Sequence, residues 1–530
     1  MFQRKTHIYT PPAPMLVDRY KLNHAQMIDP SVTRIYSNIT PRSSRLAGLL
    51  PDNDGRALIV GQTRAVQYLR DIWDDFFGSS WLSLKSVLRY SIAANTAGNT
   101  SPETLLSMWE NLHSKGRLPI RIKALPEGSR CPQKVPFATI INTSDDCAYL
   151  SNYLETQLTA EIWKSVVDGS KAYEMLRFLT TAAIVTTGNA NDVTYQAHDF
   201  SARGMSGVMD FSHTGLGHLA CFTGSDTTSA IPVIQHYYKV FPGSVIATAP
   251  PATEHMVMSL GGQTNELELF RKLIKDIYPT GIVSIVSDTW DFWNMITEGA
   301  AALKEDILSR EADAKGVPAK TIFRPDSSDP VKVICGDPMA PIGSPRFKGA
   351  VECLWDTFGG AVSPQGYRIL NPAVGLIYGD SITLERMVLI IKRLMSKGFA
   401  STNVVFGVGS FTYQYVTRDN FSIATKATWS EFSDGSTMNL IKDPKTDPGK
   451  KSATGLLRVD EDPDAGFILR QDVSPEEEQG GALKVLMEDS DIAVNDSPQG
   501  IDWMKIRRHV QLQAAAQGCN LYTVFNNTPG

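Results

Sequence analysis

Six short apolar runs in the middle of the chain each lead into acids, basic residues or glycines. The runs and the residues that follow them are LACF with Thr223-Gly-Ser-Asp226, SVIA with Glu254 and His255, GIVSIV with Ser287 and Asp288, KTIF with Arg324-Pro-Asp326, VGLIY with Gly379 and Asp380, and NVVF with Gly407-Val-Gly409-Ser410. One acid after a strand is more often a helix cap or a turn residue than a catalyst. Six such ends in series favour one site, because parallel strands deliver their carboxyl ends to a single rim.

The stretch TIFRPDSSDP indicates what such a rim offers. Pro325 fixes its own backbone and extends Arg324 before it, which keeps this cation apart from the carboxylate of Asp326. Carboxylates bind diol hydroxyls and Mg²⁺, glycines let backbone N–H groups approach a phosphate, and arginine binds phosphate oxygens with a bidentate fork. Further basic residues follow at Arg418, Lys426, Lys442, Lys450 and Lys451. Together these residue types suit a phosphorylated sugar.

The same region predicts the elements that position these residues. Apolar runs alternate with amphipathic segments from about residue 193 to 420, which is typical of parallel strands joined by helical crossovers. The clearest helix follows VGLIYGD, where apolar residues recur at helical spacing from Leu384 to Met395 and Gly398 ends the pattern. The pattern does not separate an open sheet from a closed barrel.

Composition excludes several classes of protein. The 530 residues are 42% hydrophobic and 20% charged, as expected of a globular protein with a large core and more than one domain. The net charge of −5 argues against nucleic-acid binding. The six cysteines lack CxxC spacing, and neither a signal peptide nor a run of about 18 apolar residues is present. We expect a soluble, cytoplasmic protein without disulfides, nucleic-acid partners or membrane association.

Seven motifs carry a resemblance to a known family. In chain order they are LPIRIKALPEG, HDFSARG, TGSDTTSA, ATEH, SIVSDTWDFWN, FRPDS and VTRD. As a set they resemble the nicotinamide phosphoribosyltransferases, which are type II phosphoribosyltransferases, and the similarity runs from DRYKLNH to KDPKTDPGKK. The resemblance implies an enzyme that converts nicotinamide and phosphoribosyl pyrophosphate to nicotinamide mononucleotide and pyrophosphate in NAD salvage. Residues after about 460 resemble the family less clearly.

The resemblance also implies a fold and an assembly. Residues 186–430 would form an α/β, barrel-like phosphoribosyl-transfer domain. Residues 1–185, completed by parts of 431–530, would form a second α+β domain rich in antiparallel sheet, and 431–530 would supply a basic loop and the C-terminal segment. Members of the family are head-to-tail homodimers with two shared active sites, so we expect a homodimer.

By resemblance, five residues hold the base. Phe200 stacks on one face of the nicotinamide ring and Tyr20 of the partner subunit covers the other, since two aromatic walls suit a flat ring. Asp226 accepts a hydrogen bond from the carboxamide and would repel nicotinate. Asp18 lies beside this pocket, and Arg324 lies between the base and the sugar.

The remaining roles concern the sugar, the phosphates and catalysis. The residues that the resemblance assigns to ribose and phosphate are Arg203, Arg324, Asp326, Gly379, Asp380, Gly409, Ser410, Arg418, Lys426, Lys442 and Lys450. Those that it assigns to catalysis are His255, Asp288, Asp326 and Asp380, with Ser284 on the channel wall. Mg²⁺ would bind through the pyrophosphate and through Asp326 and Asp380. ATP would stimulate the reaction through a phosphorylated His255.

The chain departs from the family at four points, which include Val331 to Gly360 and MDFSHTGLGHLA, and alternatives stay open. Ser410 replaces a usual glycine, and RPDSSDP replaces RPDSGNP. A nicotinate phosphoribosyltransferase would share the fold, although Asp226 argues against it. An inactive binding or signalling relative is disfavoured by the intact set of acids. An NAD-binding oxidoreductase would use the GxGxxA match from Gly215 to Ala220, but no clear strand precedes that match.

Overall fold

A computed structural model of the chain describes residues 11–95, 101–446, 451–493 and 501–528. Two large sheets, each with its own hydrophobic core, organise these residues. The α-helices are His24–Met27, Gln62–Gly78, Trp81–Asn95, Pro102–Ser114, Leu150–Tyr153, Glu155–Thr187, Val208–Leu219, Ala230–Tyr237, His255–Gly261, Glu266–Lys272, Phe292–Asn294, Ala300–Ala302, Lys304–Leu308, Pro330–Cys335, Pro345–Lys348, Ala350–Phe358, Leu384–Ser396, Ser410–Tyr413, Pro475–Glu478, Trp503–Gln517 and Leu521–Asn527.

The first sheet is antiparallel. Its strands, in spatial order, are Thr437–Asn439, Ala424–Phe432, Val32–Thr40, Ala138–Asn142, Ile120–Ala124, Lys484–Glu488 and Asp491–Ile492. Shorter antiparallel pairs are Ala57–Ile59 with Ser129–Cys131, Gly360–Val362 with Arg368–Leu370, and Leu457–Asp462 with Gly466–Gln471. The predicted α+β domain rich in antiparallel sheet is therefore confirmed. Its strand Ala424–Phe432 crosses the boundary that we predicted at residue 430.

The second sheet is parallel and closes into a barrel. Its strands, in spatial order, are Gly224–Ser225, Ala197–Asp199, Val405–Val408, Val374–Tyr378, Lys320–Arg324 and Ile282–Val286. The isolated bridges from Gly224 to Thr248 and from Ala252 to Ser284 join the two edge strands through residues 248–252. This arrangement confirms the predicted barrel-like α/β domain, and the strands deliver their carboxyl ends to one end of the barrel, which we call the rim.

Four of the six apolar runs form the predicted strands: GIVSIV, KTIF, VGLIY and NVVF. The other two predictions are wrong. LACF covers the end of the helix Val208–Leu219 and the turn after it, and SVIA leads only into the bridge at Thr248. A run of four apolar residues does not distinguish a strand from a buried helix end. The predicted helix after VGLIYGD is confirmed as Leu384–Ser396, which Thr383 caps by accepting a hydrogen bond from Arg386 N.

The helix Glu155–Thr187 connects the two cores. Its 33 residues span about 50 Å at the usual rise per residue. Val166 and Val167 pack in the core of the antiparallel sheet, whereas Phe178 and Leu179 pack in the core of the barrel. Within the described ranges, every helix is too short or too polar to cross a membrane.

The GxGxxA match lies within the helix Val208–Leu219 and its C-terminal cap, where its glycines are buried. A Cβ on Gly217 would lie 2.8 Å from both Gly169 N and Ser165 O, so glycine lets this helix approach the helix Glu155–Thr187 closely. A dinucleotide fingerprint needs a turn from a strand into a helix at this point. The glycines of the match allow two helices to pack closely. The match therefore gives no support to the oxidoreductase alternative.

Candidate active site

The ring of Phe200 lies against two glycines at the rim. Phe200 directly follows the strand Ala197–Asp199, and its backbone N–H donates to Val408 O at 2.9 Å. A Cβ on Gly379 would lie 3.1 Å from the ring carbons Cδ2 and Cε2, and one on Gly407 would lie closer still. Glycine therefore lies directly after the strand Val374–Tyr378 and at the penultimate position of Val405–Val408, because an aromatic ring occupies the space that their side chains would fill.

Asp226 is linked to the same strand. Its backbone N–H donates to Asp199 O at 3.0 Å, and its side chain is exposed at the rim. Surrounding protein atoms raise the pKa of Asp226, the carboxylate of Asp199 raises it further, and Arg324 lowers it. Asp199 itself is fully buried, and its Oδ1 accepts a hydrogen bond from Ser201 N at 2.9 Å. Sequence reasoning missed Asp199, which fixes the turn that carries Phe200.

Arg324 is the half-buried cation of the rim. It ends the strand Lys320–Arg324, and its Nη2 donates to the carbonyl of Thr253. Burial lowers the pKa of Arg324, while the carboxylates of Asp326, Asp226 and Asp288 oppose this effect in that order. One guanidinium thus interacts electrostatically with three carboxylates. It stays positively charged because an arginine pKa lies far above neutrality.

Asp288 organises the turn after Arg324. Its Oδ2 accepts hydrogen bonds from Asp326 N at 2.7 Å and from Ser327 Oγ at 2.6 Å. Burial raises the pKa of Asp326, and the nearby carboxylates of Asp288 and Asp380 raise it further. Ser328, where the family motif has glycine, adopts a φ of 78°. The turn therefore holds acidic side chains close together and contains backbone strain at a serine.

His255 lies beside this turn. It begins the helix His255–Gly261, is exposed, and has its Nδ1 3.2 Å from Thr289 Oγ1. Its Nε2 is 3.9 Å from Asp288 Oδ1, an oxygen without a hydrogen-bond partner among the described residues. Ser284 lies in the barrel wall within Ile282–Val286, and its Oγ is also buried without such a partner. The histidine is thus accessible to a ligand and within reach of an acid.

The strand Val405–Val408 leads into a turn formed by residues 409–413, which we call the Gly409 turn. A Cβ on Gly204 would collide with the side chain of Ser410, so that glycine makes room for the serine which replaces the usual glycine. Arg203, exposed beside Gly204, lies close enough to lower the pKa of Arg324. The absent side chain of Gly204 thus leaves space for the side chain of Ser410 at the rim.

A second group of cations lies on the antiparallel sheet. Burial lowers the pKa of Lys426, the carboxylate of Glu155 opposes this, and the cations Arg42, Lys442 and Arg418 lower it further. Four positive side chains in one place repel one another, and such clusters suit an anionic ligand. Sequence reasoning predicted three of them and missed Arg42.

Asp18 and Tyr20 lie beside these cations rather than at the rim. The Oδ2 of Asp18 accepts a hydrogen bond from Thr156 Oγ1 at 2.6 Å, near the start of the helix Glu155–Thr187, and Tyr20 is 60% exposed. Within the described ranges, no hydrogen bond, ion pair or ring contact joins either residue to Phe200. Lys450 lies outside the described residues.

The site residues therefore form two groups within one chain. The rim group comprises Phe200, Arg203, Asp226, His255, Asp288, Arg324, Asp326, Gly379, Asp380, Gly409 and Ser410. The sheet-side group comprises Asp18, Tyr20, Arg42, Arg418, Lys426 and Lys442. The rim group offers an aromatic wall, acids for hydroxyl groups and backbone amides, whereas the sheet-side group offers cations and a second aromatic ring.

Comparison with known proteins agrees with this inventory. The model of the nicotinate phosphoribosyltransferase family matches residues 195–478. A nicotinamide phosphoribosyltransferase from Acinetobacter baylyi is 45% identical over 502 residues, which are 94% of this chain and 97% of that protein. One from Mycoplasma pneumoniae is 30% identical over 453 residues, which are 83% of this chain and 93% of that protein.

A solved structure supports the fold independently. The nicotinate-nucleotide pyrophosphorylase from Pyrococcus furiosus superposes with a TM-score of 0.50 at 15% sequence identity, covering 99% of both chains. At this identity the similarity concerns the fold alone. It extends over both the antiparallel sheet and the barrel.

Proposed function

The chain belongs to the nicotinate phosphoribosyltransferase family, and we propose that it transfers the phosphoribosyl group of phosphoribosyl pyrophosphate to nicotinamide. The products are nicotinamide mononucleotide and pyrophosphate, as in NAD salvage. Curated relatives named nicotinamide phosphoribosyltransferase support this choice of base. The observation that carries the proposal is the Phe200 ring seated on Gly379 and Gly407 with Asp226 bonded to the same strand.

Asp226 selects the amide over the acid. An ionised carboxylate accepts a hydrogen bond from a carboxamide N–H and repels the carboxylate of nicotinate. The same residue therefore favours binding of nicotinamide and disfavours binding of nicotinate. The nearby guanidinium of Arg324 favours the ionised form of Asp226, although the surrounding protein atoms raise its pKa. Phe200 supplies the flat face on which the pyridine ring stacks.

The acids and Arg324 act on the sugar and the leaving group. As the bond from ribose C1 to the pyrophosphate breaks, positive charge develops on the sugar and negative charge on the departing oxygens. Asp326 and Asp380 accept hydrogen bonds from the ribose hydroxyls, and Arg324 faces the anionic oxygens. Asp288 fixes Asp326 through its backbone, so these groups need no rearrangement when charge develops.

Mg²⁺ fits the rim as an ion carried mainly by the substrate. Mg²⁺ is usually bound by one or two carboxylates together with phosphate oxygens. Asp326 and Asp380 interact electrostatically and would supply those carboxylates. The described residues contain no group of three or more His, Cys, Asp or Glu side chains arranged to hold a metal. The ion would neutralise charge on the leaving pyrophosphate.

The phosphates are divided between the two groups. The backbone N–H groups of Gly409 and Ser410 face the 5′-phosphate, with Arg203 beside them. Of the clustered cations in the sheet-side group, Lys426, Lys442 and Arg42 receive the pyrophosphate. By resemblance, Arg418 flanks the 5′-phosphate and Lys450 reaches towards the phosphates. Such clustering is unfavourable without an anion and favourable with one.

A head-to-tail homodimer would combine the two groups. Among the described residues that form the rim group as defined above, Phe200 contributes the one Phe, Tyr or Trp ring, and the exposed Tyr20 lies with Asp18 in the sheet-side group. Tyr20 of the partner subunit would then cover the base that rests on Phe200. Mixing the Tyr20→Ala and Phe200→Ala proteins should restore about a quarter of wild-type activity, because half of the dimers regain one intact site. Each variant alone is the control, and no recovery on mixing would contradict shared sites.

ATP would act through His255. The imidazole is exposed, lies beside the acidic turn and has Nε2 3.9 Å from Asp288 Oδ1, so a phosphate on it would add charge at the rim. We expect His255→Ala to retain weak basal activity and to lose stimulation by ATP. Rates with and without ATP, measured on the wild type and on this variant, test the role, and equal stimulation of both proteins would exclude it.

A cytoplasmic location belongs to the same proposal. All six cysteines lie within the described ranges and are free, as is usual in a reducing compartment. Localisation of the full-length chain in its own cells checks this assignment.

The experiment that tests base selection is the substitution Asp226→Asn. Losing a charged hydrogen bond and a repulsive charge should lower the preference for nicotinamide over nicotinate between about 10-fold and 100-fold. The ratio of kcat/KM for the two bases is the readout. Asp75→Asn, at an exposed acid of the helix Gln62–Gly78, is the matched control. An unchanged ratio in Asp226→Asn would remove Asp226 from base selection.

A further inference from the structure

Three charged residues lie on one face of the central helix, in the middle of its buried part. Lys164, Asp168 and Lys171 are spaced i, i+4 and i+7 in Glu155–Thr187, a spacing that aligns side chains along one stripe. The side chains of Lys164 and Asp168 are 3% and 0% exposed. Burying charges is costly unless each is paired and hydrogen-bonded. The hydrogen-bond and ion-pair partners of these residues therefore indicate their role.

Both lysines donate to the Gly409 turn. Lys164 Nζ donates to the carbonyl of Tyr413, and Lys171 Nζ donates to the carbonyl of Thr412 at 3.1 Å. The last carbonyls of a helical turn have no partner within the helix. Two ammonium groups from the central helix therefore hold the C-terminal end of the turn whose N-terminal amides belong to Gly409 and Ser410.

Asp168 holds Lys164 in place. One of its oxygens is 3.3 Å from Lys164 Nζ and accepts a hydrogen bond from Thr214 Oγ1 at 2.8 Å. Asp210 lies 3.8 Å from the same ammonium group, and Glu385 lies near Lys171. These acids offset the charges of the two lysines. The lysines therefore do not act by giving the Gly409 turn a net positive charge. The role of the lysines is geometric.

Side chains of the Gly409 turn also connect it to the rim segments that carry Asp380 and Asp226. Thr412 Oγ1 donates to Ile382 O at 2.6 Å, which ties the turn to the loop after Asp380. Tyr413 OH lies 2.8 Å from Nδ1 of His218, whose Nε2 lies 2.9 Å from Gly224 O, in the strand before Asp226. The position of the turn therefore sets the distance between phosphate, ribose and base subsites.

We propose that Lys164 and Lys171 are positioning residues that hold the Gly409 turn where its amides receive the 5′-phosphate of the phosphoribosyl substrate. This inference rests on the proposed function. The lysines touch neither substrate nor reacting atoms. Their removal shifts the turn relative to the rim, and a shift of this kind weakens binding of the phosphoribosyl group more than binding of the base.

The test compares Michaelis constants in two variants. Lys171→Met removes one donor, and the double variant Lys164→Met/Asp168→Asn removes the other together with the buried carboxylate that pairs with it, so Asp168 is not left as an unpaired buried ion. We expect KM for phosphoribosyl pyrophosphate to rise between about 10-fold and 100-fold, while KM for nicotinamide changes less than about twofold. Lys171→Arg, which keeps a donor, should recover most of the loss.

Lys392→Met is the matched control, because Lys392 Nζ also donates to a backbone carbonyl, that of Phe525 at 2.7 Å. Both Michaelis constants should stay at wild-type values in this control. Lower stability of Lys171→Met with unchanged constants, or an equal rise in both constants, would overturn the positioning role and leave the proposed function intact. A folded wild type that forms no mononucleotide would overturn both.

Discussion

Replacing Gly407 by alanine tests whether the rim is built around the ring of Phe200. A Cβ at this position would lie 2.7 Å from Gly379 Cα and closer still to ring carbons of Phe200. Carbon atoms pack at about 3.5–4.0 Å, so the ring must move by about 1 Å or more. The strand Val405–Val408 is paired on both sides, which prevents its backbone from moving instead.

The displacement has a predictable size in both stability and rate. Overpacking of this kind costs about 1–3 kcal/mol of folding free energy. A misplacement of about 1 Å in a positioning group costs about 100-fold in rate, so we expect Gly407→Ala to lower kcat/KM for nicotinamide by this factor. Gly379→Ala should have a weaker effect, because its Cβ would lie 3.1 Å from the same ring.

Initial rates at varied nicotinamide and unfolding in urea provide the two readouts. Gly78→Ala is the control, because a Cβ there meets nothing within 4 Å. In a Phe200→Ala background, Gly407→Ala should cost less stability than in the wild type, since only the contact with Gly379 remains. Wild-type activity and stability in Gly407→Ala, or an undiminished cost in the double variant, would refute the reasoning.

Three further predictions concern buried charge and backbone strain. Arg177→Met should lower the free energy of unfolding by about 3–5 kcal/mol in urea, because two buried or half-buried carboxylates lose their partner; a loss below about 1 kcal/mol would contradict this. Burial raises the pKa of Glu266 from 4.5 to about 7, so the folded state binds the carboxyl proton of Glu266 more tightly than the unfolded state. The stability that this proton contributes is complete below pH 4.5 and is lost as pH rises through about 7. The Tm of Glu266→Gln should lack that decline, and parallel Tm profiles of variant and wild type would exclude it. Ser328→Gly should stabilise the protein by about 1 kcal/mol, because Ser328 has a φ of 78°; a lower Tm in this variant would argue against strain at the turn.

The strands could be predicted only where local composition decides the structure. VGLIY is almost entirely apolar and KTIF ends in two large apolar residues, because most of each strand is buried. LACF has the same composition but ends a helix, and four residues carry too little periodicity to tell the cases apart. Ala197–Asp199 has three residues, two of them polar, and pairing with strands on both sides makes it a strand.

The functional residues at the rim could be predicted better than the residues elsewhere in the chain that surround or position the site. Asp288 and Arg324 lie within two residues of the ends of apolar runs, so their convergence followed from the parallel topology. Arg42 could not be found in this way, because it approaches Lys426 only through the pairing of Val32–Thr40 with Ala424–Phe432. Charged residues within a helix usually face solvent, and Lys164 departs from this because the Gly409 turn and the helix Val208–Leu219 cover it.

The most direct test of the account is product formation by the wild-type protein. The purified chain is incubated with phosphoribosyl pyrophosphate and Mg²⁺, and parallel samples receive nicotinamide or nicotinate before the mononucleotides are quantified by mass. The rim geometry around Phe200 and Asp226 predicts nicotinamide mononucleotide as the dominant product. Product formed mainly from nicotinate would contradict the role of Asp226 in selecting the base, and no product from either base with a folded protein would contradict the proposed activity itself.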